Sequence, residues 1–273
     1  MSKGFIYTIL AAGAVICLLP FLWMFSTSLK TVAQAMAIPI QWIPRPPTLT
    51  SYFVAWSKME FNRYFFNTVF VASSVTLFTV FSCALAGYAF AKKKFFAKEL
   101  IFNLLIGTMT IPGMVLMIPL FIIIMKLGML DKLIGLVIPF SSSVFGLFLM
   151  RQYISTIPSE LEEAARIDGC SEFGIFWRII LPLCKPAIAA LAIFTFQGNW
   201  NAFIMPLVIL NSREKYTLSL ALAQFQLEMV AGEAAPWTHL MAGSMLMIVP
   251  IIIVFLCLQR YFIKGLVMGA VKG

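Results

Sequence analysis

The chain has 273 residues, of which 61% are apolar and only 11% charged, and its mean hydropathy is +0.95. That balance excludes a soluble domain of this length. A formal charge of +9 could suit nucleic acid, but Lys and Arg are spread among the ends of apolar runs rather than gathered on one polar face, and nucleic-acid binding is excluded.

Charge-free runs occupy 4–29, 64–91, 100–125, 133–150, 186–212 and 234–259, with lengths of 26, 28, 26, 18, 27 and 26 residues. Each is long enough to cross a hydrocarbon core, which takes about 20 helical residues. A barrel would need short alternating segments, and Leu116–Met125 does not alternate. The predicted fold is therefore an all-α membrane protein with six transmembrane helices.

In chain order, the first run is too long for a secretory signal and has no small-residue cleavage site before Lys30, so it is expected to be a retained first helix. The stretch 30–63 carries Pro39, Pro44, Pro46 and Pro47 and reads as an extracytoplasmic excursion packed on the helices. In the second run Ala84, Gly87 and Ala91 suit a close helix contact. The cluster AKKKFFAK follows it. With the N-terminus inside, twelve Lys and Arg fall on the cytoplasmic side and eight outside, so both termini are expected to be cytoplasmic. Pro112 and Pro119 in the third run, and Gly198 and Pro206 in the fifth, suit spans that kink or line a cavity. The five cysteines show no CxxC spacing and read as small packing residues, as the scattered methionines read as gap-fillers. His239, the only histidine, reads as structural.

Between the fourth and fifth runs lies SELEEAARIDGCSEFGIFWRIILP, the densest charged stretch of the chain. Ser159 is expected to cap a helix, with Glu162 completing a capping box and Glu160, Glu162 and Glu163 facing the positive end of the dipole. Gly169 is expected to stop that helix in the left-handed conformation, and Ser171 to cap a second one running to Pro182 at the opening of the fifth span. Glu162 and Arg166 are spaced for an exposed ion pair. Ala164 and Ala165 leave a small-residue step that another protein could approach.

Glu163-Ala164-Ala165, Gly169, then Ile179-x-Leu181-Pro182 resemble in full the EAA motif, E-A-A-x3-G-x9-I-x-L-P, of membrane subunits in binding-protein-dependent ABC importers. IPSELEEAARIDG, WRIILPLCKPA, IPGMVLMIPLF and the tail QRYFIKGLVMGAVKG extend the resemblance to the carbohydrate branch, similar to the maltose permease MalG, over nearly the whole chain from about residue 40. The resemblance implies a type I permease that forms a heterodimer with a second related permease and works with two ATPase subunits and an extracytoplasmic solute-binding protein. ATP and Mg would be bound by the ATPase, and no cofactor by this chain.

It also implies that Glu162, Glu163, Ala164, Ala165, Arg166, Asp168 and Gly169 couple to the ATPase, and that the tail Gly269, Ala270, Val271, Lys272 and Gly273 reaches the same partner. By the same resemblance the loop 211–237 reaches into the docked binding protein. Domains are accordingly expected at 1–63 (first helix and outer loop), 64–262 (permease core with the coupling segment at 158–182) and 263–273 (tail). Two departures, Trp200-Asn201-Ala202 where an acidic residue is common and Val267-Met268-Gly269 where Thr-x-Gly is common, bear on the solute.

The chemistry agrees. No run contains Asp, Glu, Lys or Arg, whereas ion-coupled carriers usually hold ionisable groups inside the bundle. No Gly-Lys dipeptide exists from which to build a P-loop, so ATP must be hydrolysed on a partner. The alternative is an ion-coupled carrier working through carbonyl oxygens, or a passive channel. Gln197, Asn199, Trp200 and Asn201 are candidates for the solute path, with Gln197, Trp200 and Asn201 expected on one helical face. Amides beside an indole suit a neutral sugar, although interhelical hydrogen bonding would use the same residues.

Overall fold

The computed structural model describes residues 3–231 and 237–270, with side chains described over 4–227 and 237–259. Among the described residues the fold is helical throughout. Its main helices are α1 (Lys3–Ser28), α2 (Thr50–Lys58), α3 (Phe61–Lys92), α4 (Lys98–Thr108), α5 (Met117–Lys126), α6 (Val144–Ser155), α7 (Glu160–Ile167), α8 (Glu172–Leu183), α9 (Lys185–Trp200), α10 (Ile204–Ile209), α11 (Leu218–Ala231) and α12 (Trp237–Ala270). Three described helices are long and apolar enough to cross a membrane: Gly4–Ser28, Phe61–Lys92 and Trp237–Gln259. Two bent pairs raise the number to five if each is one span: Ile134–Phe140 with α6, bent by 43°, and α8 with α9, bent by 77°.

The predicted third run, 100–125, is interrupted. Helix α4 ends at Thr108, and turns including Val115 N–H to Pro112 C=O at 2.9 Å fill the gap to α5. Pro112 has no N–H to continue a helix and its ring excludes the preceding turn. The break in the fourth run has an identifiable remedy. Thr79 Oγ1, Ser82 Oγ and Cys83 Sγ of α3 donate to the carbonyls of Phe140, Ser141 and Ser143 at 3.2, 3.0 and 3.3 Å. Backbone groups freed from a helix at membrane depth must find such partners.

The chain divides into two compact units, 1–65 with 217–250, and 66–216 with 251–273. In the first unit the loop after α1 is sewn to the end of that helix, as its reading as a packed excursion requires. Ser26 Oγ donates to Trp42 C=O, Thr48 N–H donates to Leu29 C=O at 2.8 Å, and Trp23 meets Trp42 edge-on at 5.0 Å. Lys30, 1% exposed, places its ammonium 4.1 Å from the Trp23 ring centre. None of the spanning window of α1 is buried by the chain itself.

The second unit is packed around Cys83, Ala84, Tyr88, Met150, Ile154 and Leu191. Small residues set its helix spacing. A Cβ on Gly87 would lie 2.7 Å from Met150 Cβ, and one on Gly146 would lie 2.8 Å from Cys83 Sγ and 3.0 Å from Leu191 Cδ1. Helices in lipid gain attraction through such close approach. Arg151 Nη2 donates to both oxygens of Glu99 at 2.9 Å and the guanidinium stacks on Phe102 at 3.7 Å, fastening α4 to α6.

Candidate functional site

The charged segment folds as a helical hairpin, α7 and α8 joined at Gly169. That glycine has φ +80°, as its predicted role as a helix stop requires, and Cys170 N–H closes the turn on Ala165 C=O at 2.9 Å. Ser171 caps α8 through a 3.2 Å bond from Gly174 N–H, also as predicted. The capping box at Ser159 does not form. Ser159 is helical (φ −73°, ψ −21°) and makes no side-chain cap bond. Its hydroxyl accepts instead from Lys92 Nζ at 3.3 Å, and Glu162 turns away from the helix end toward cations, which reward a carboxylate more than a backbone amide does. Pro182 does not open the fifth span either. It lies inside α8, after a π-helical turn at Phe176–Ile180, and the chain bends at Cys184, where Pro186 in the first turn of α9 removes an N–H from the ladder.

Helix α7 has two opposed faces. Glu162 and Ala165 are buried, at 3% and 5% exposure. Leu161, Glu163, Ala164, Ile167 and Asp168 are exposed, Ile167 to 87%. The seven residues of the predicted coupling group are therefore divided: Glu163, Ala164, Asp168 and Gly169 look outward, and Glu162 and Ala165 look into the unit, with Arg166 between.

Glu162 was expected in an exposed pair with Arg166. The pair is present at 3.4 Å, but Glu162 itself is buried and the pair belongs to a part-buried network whose outer members, Arg166 and Glu172, reach the surface. Tyr88 OH donates to Glu162 Oε2 at 3.0 Å, and Lys93 and Lys92 stand 3.6 and 3.8 Å from its two oxygens. Glu172 closes the ring, accepting from Arg166 Nε at 2.8 Å and from Lys93 Nζ. Lys92 Nζ also donates to Ile157 C=O. These contacts set the charges. The Arg166 guanidinium, then Lys93, hold the Glu172 carboxyl at about 2. Arg166 is raised in turn by Glu172. Burial pulls the Lys93 ammonium down, but Glu172 and Tyr88 outweigh it and the net direction is up. Tyr88, Lys92, Lys93 and Glu172 were not among the residues expected at the site. The available signal was a triple lysine closing one run and a glutamate-rich segment on the same predicted side.

The four solute-path candidates are parted. Gln197 and Asn201 are exposed, but Trp200 is wholly buried and stacks on Phe196 at 5.4 Å, so the indole is not presented at the surface beside the amides. A large indole at the end of α9 buries more apolar area by turning inward than by remaining beside the amides. Asn199, half-buried, donates to Thr195 C=O at 2.8 Å and lines a cleft of about 300 Å³. Thr79, Ser142, Ser143 and Thr195 supply its other polar lining, and Phe145 and Phe194, 6.4 Å apart and edge to face, supply ring walls.

A second polar cluster lies at the opposite ends of these helices. Asp131, at φ +53°, accepts from the N–H groups of Asn211 and Ser212 at 2.9 Å each, from Ser212 Oγ and from Lys215 Nζ at 2.8 Å. Lys215, then Ser212, hold its carboxyl well below the ordinary range. Asn67 Nδ2 donates to the carbonyls of Glu214 and Tyr216 at 2.9 and 3.0 Å. Together these fix the first part of the loop 211–237, of which 232–236 lie outside the described residues. Among the described residues no three His, Cys, Asp or Glu side chains come together as a metal set. Of the tail, Gly269 and Ala270 end α12, and Val271, Lys272 and Gly273 lie outside the described residues.

Residues 79–267 match the family described as binding-protein-dependent transport system inner membrane component. Similar proteins include the arabinooligosaccharides transport system permease protein AraQ of Bacillus subtilis, 38% identical over 211 residues, covering 77% of this chain and 74% of the relative. The sulfoquinovosyl glycerol transport system permease protein SmoH of Agrobacterium fabrum is 34% identical over 259 residues, covering 94% and 89%. Among solved structures, a chain of a bacterial ABC transporter involved in the import of the acidic polysaccharide alginate superposes with a TM-score of 0.85 at 26% identity, covering 96% of this chain and 99% of that one.

Proposed function

This chain belongs to the binding-protein-dependent transport system inner membrane components, the membrane permease subunits of ABC importers and not themselves enzymes, and from that premise we propose how it is arranged and what it carries. It crosses the inner membrane six times: by α1, by α3, by α4 with α5, by Ile134–Phe140 with α6, by α9 with α10, and by α12. Both termini are cytoplasmic. Long-range contacts within the second unit support the alternation of the crossings, and the Lys and Arg bias of the sequence supports their direction. The pairs Lys93–Glu172 and Arg151–Glu99 join segments that six crossings place inside, and Lys215–Asp131 and Asn67–Glu214 join segments placed outside. The segment 158–182 docks on a separate ATPase, of which two copies serve a heterodimer of this chain and a related permease. The stretch 263–273 lies beside them, and an extracytoplasmic binding protein delivers the solute.

The observation that carries the docking role is the exposed, small-stepped face of α7 formed by Glu163, Ala164, Ile167 and Asp168, held rigidly by the buried face behind it. The solute is a neutral oligosaccharide. Hydroxyls, one amide and ring faces line the cleft, with no cation among its lining residues to match an acidic sugar. Gln197 and Asn201, exposed in the last turn of α9 and at its C-cap, support a path shared with the second permease, because amides are costly against lipid and need a polar neighbour.

Both parts are tested by reconstituting the full transporter and measuring ATP turnover stimulated by its loaded binding protein. Neutral oligosaccharides are expected to stimulate and uronate oligosaccharides are not. Stimulation by the uronates alone would overturn the neutral assignment. Glu163→Lys is expected to remove the ATPase from the purified complex, and its undiminished recovery would overturn the docking assignment.

A further inference from the structure

We infer that Glu162 is not a docking residue but a transmission pin, locking the coupling hairpin to the inner end of α3 so that the two move as one body. This rests on the docking role proposed for the outer face of α7. At 3% exposure the Glu162 carboxylate has no surface to offer a partner protein. All of its neighbours are internal: Tyr88, Lys92 and Lys93 from the last turns of α3 and the loop after it, and Arg166 from α7 itself. Its Oε1 oxygen is buried without a hydrogen bond, 3.8 Å from Lys92 Nζ, so the oxygen depends on that ammonium.

The same α3 residues hold the rest of the hairpin. Lys92 grips Ile157 C=O and Ser159 Oγ before α7, and Lys93 grips Glu172 after it. The Tyr88 ring packs on Phe176 of α8 at 5.5 Å and lies under Lys93 Nζ at 4.5 Å from its centre. The entry, the middle and the exit of the hairpin are thus bound to one helix end. Helix α3 then runs uninterrupted from Tyr88 to Thr79, nine residues or about 14 Å away, where Thr79 lines the cleft and bonds Phe140 C=O. A displacement of the hairpin is delivered to the cleft wall through one rigid rod, with Glu162 as its fastening. Glu162 is a positioning residue, and the positions it couples are those of α7 and α3.

The test uses the complete transporter in lipid nanodiscs, with spin labels at Leu77→Cys on α3 and Glu160→Cys on α7 after the native cysteines are replaced. MgATP is the only added probe. In the parent protein the separation between the labels is expected to be the same with and without MgATP. With Glu162→Gln the ATPase still copurifies at the parent level, but MgATP shifts or broadens the separation, and Tyr88→Phe does so to a lesser degree. Tyr88→Phe keeps the ring against Phe176 and carries the test if Glu162→Gln fails to assemble. A separation that changes with MgATP in the parent, or stays fixed in both variants, overturns the pin. Loss of the ATPase from Glu162→Gln at parent membrane levels also overturns it, by making Glu162 a docking residue. Retention of the ATPase by Glu163→Lys overturns the docking role and leaves the pin to be decided by the distances.

Discussion

Gly169 illustrates how one residue's conformational freedom shapes the site. Its φ of +80° is open to glycine at little cost, and nothing lies within 4 Å of where its Cβ would stand, so the constraint is conformational and not steric. Gly169→Val should therefore weaken the hairpin by about 1–2 kcal/mol, whereas Gly169→Asn, which tolerates the left-handed region, should retain most of the coupled ATP turnover. Equal losses in the two variants would contradict this account. Charge at the site has a definite pH range. The Glu172 carboxyl is held at about 2, below its ordinary 4.5, so its contribution is complete above the ordinary value and lost only as pH falls through about 2. Lys93 and Arg166 are raised, so their contribution is lost only as pH rises beyond the ordinary range of lysine and arginine side chains. Association of the purified permease with its ATPase should accordingly be flat from about pH 6 to about pH 9, and a midpoint near neutrality would contradict the assignment. Gly169 and Ser171 were legible in the sequence because turn and cap chemistry is local. The inward turn of Glu162 was not, because the cations that draw it lie about 70 residues earlier in the chain.

At the scale of helices, the break in the fourth apolar run depends on the hydroxyl row of α3. Removing Thr79 and Ser82 donors leaves the carbonyls of Phe140 and Ser141 without those bonds, at about 1–2 kcal/mol each. The double variant Thr79→Val with Ser82→Ala should lower the thermal midpoint of the detergent-purified permease, while Ser73→Ala, exposed on the same helix, should not. Unchanged melting in the double variant would show that the break does not need these donors. The helical, membrane-crossing character of the chain was readable because lipid demands length and an absence of charge, and among the described residues three helices meet that demand, or up to five if each bent pair is one span. Where each run bends was not, since Pro112 breaks one, Pro182 is carried inside α8 and Pro186 shares in the 77° bend. A proline's effect depends on whether neighbouring groups can satisfy the backbone it disrupts. The separation of Trp200 from Gln197 and Asn201 has the same origin, because helical spacing alone does not say which side a neighbouring helix covers.

For the whole molecule, the docking role proposed for the exposed face of α7 would join that face, the part-buried network behind it and the hydroxyl-lined cleft into one device, in which force enters at a surface and acts on a cavity wall. The EAA resemblance pointed to the proposed surface, and the family relationship established what kind of machine the chain belongs to. The division of that surface into outward and inward residues came only from packing. The most direct test is a crosslinking scan of single cysteines from Glu160 to Gly169 in the assembled transporter. Capture of the ATPase at Glu163, Ala164 and Ile167, with none at Glu162 or Ala165, is the expected result. Capture confined to the buried positions, or at no position in the scan, would contradict the claim that this helix face is where the motor takes hold.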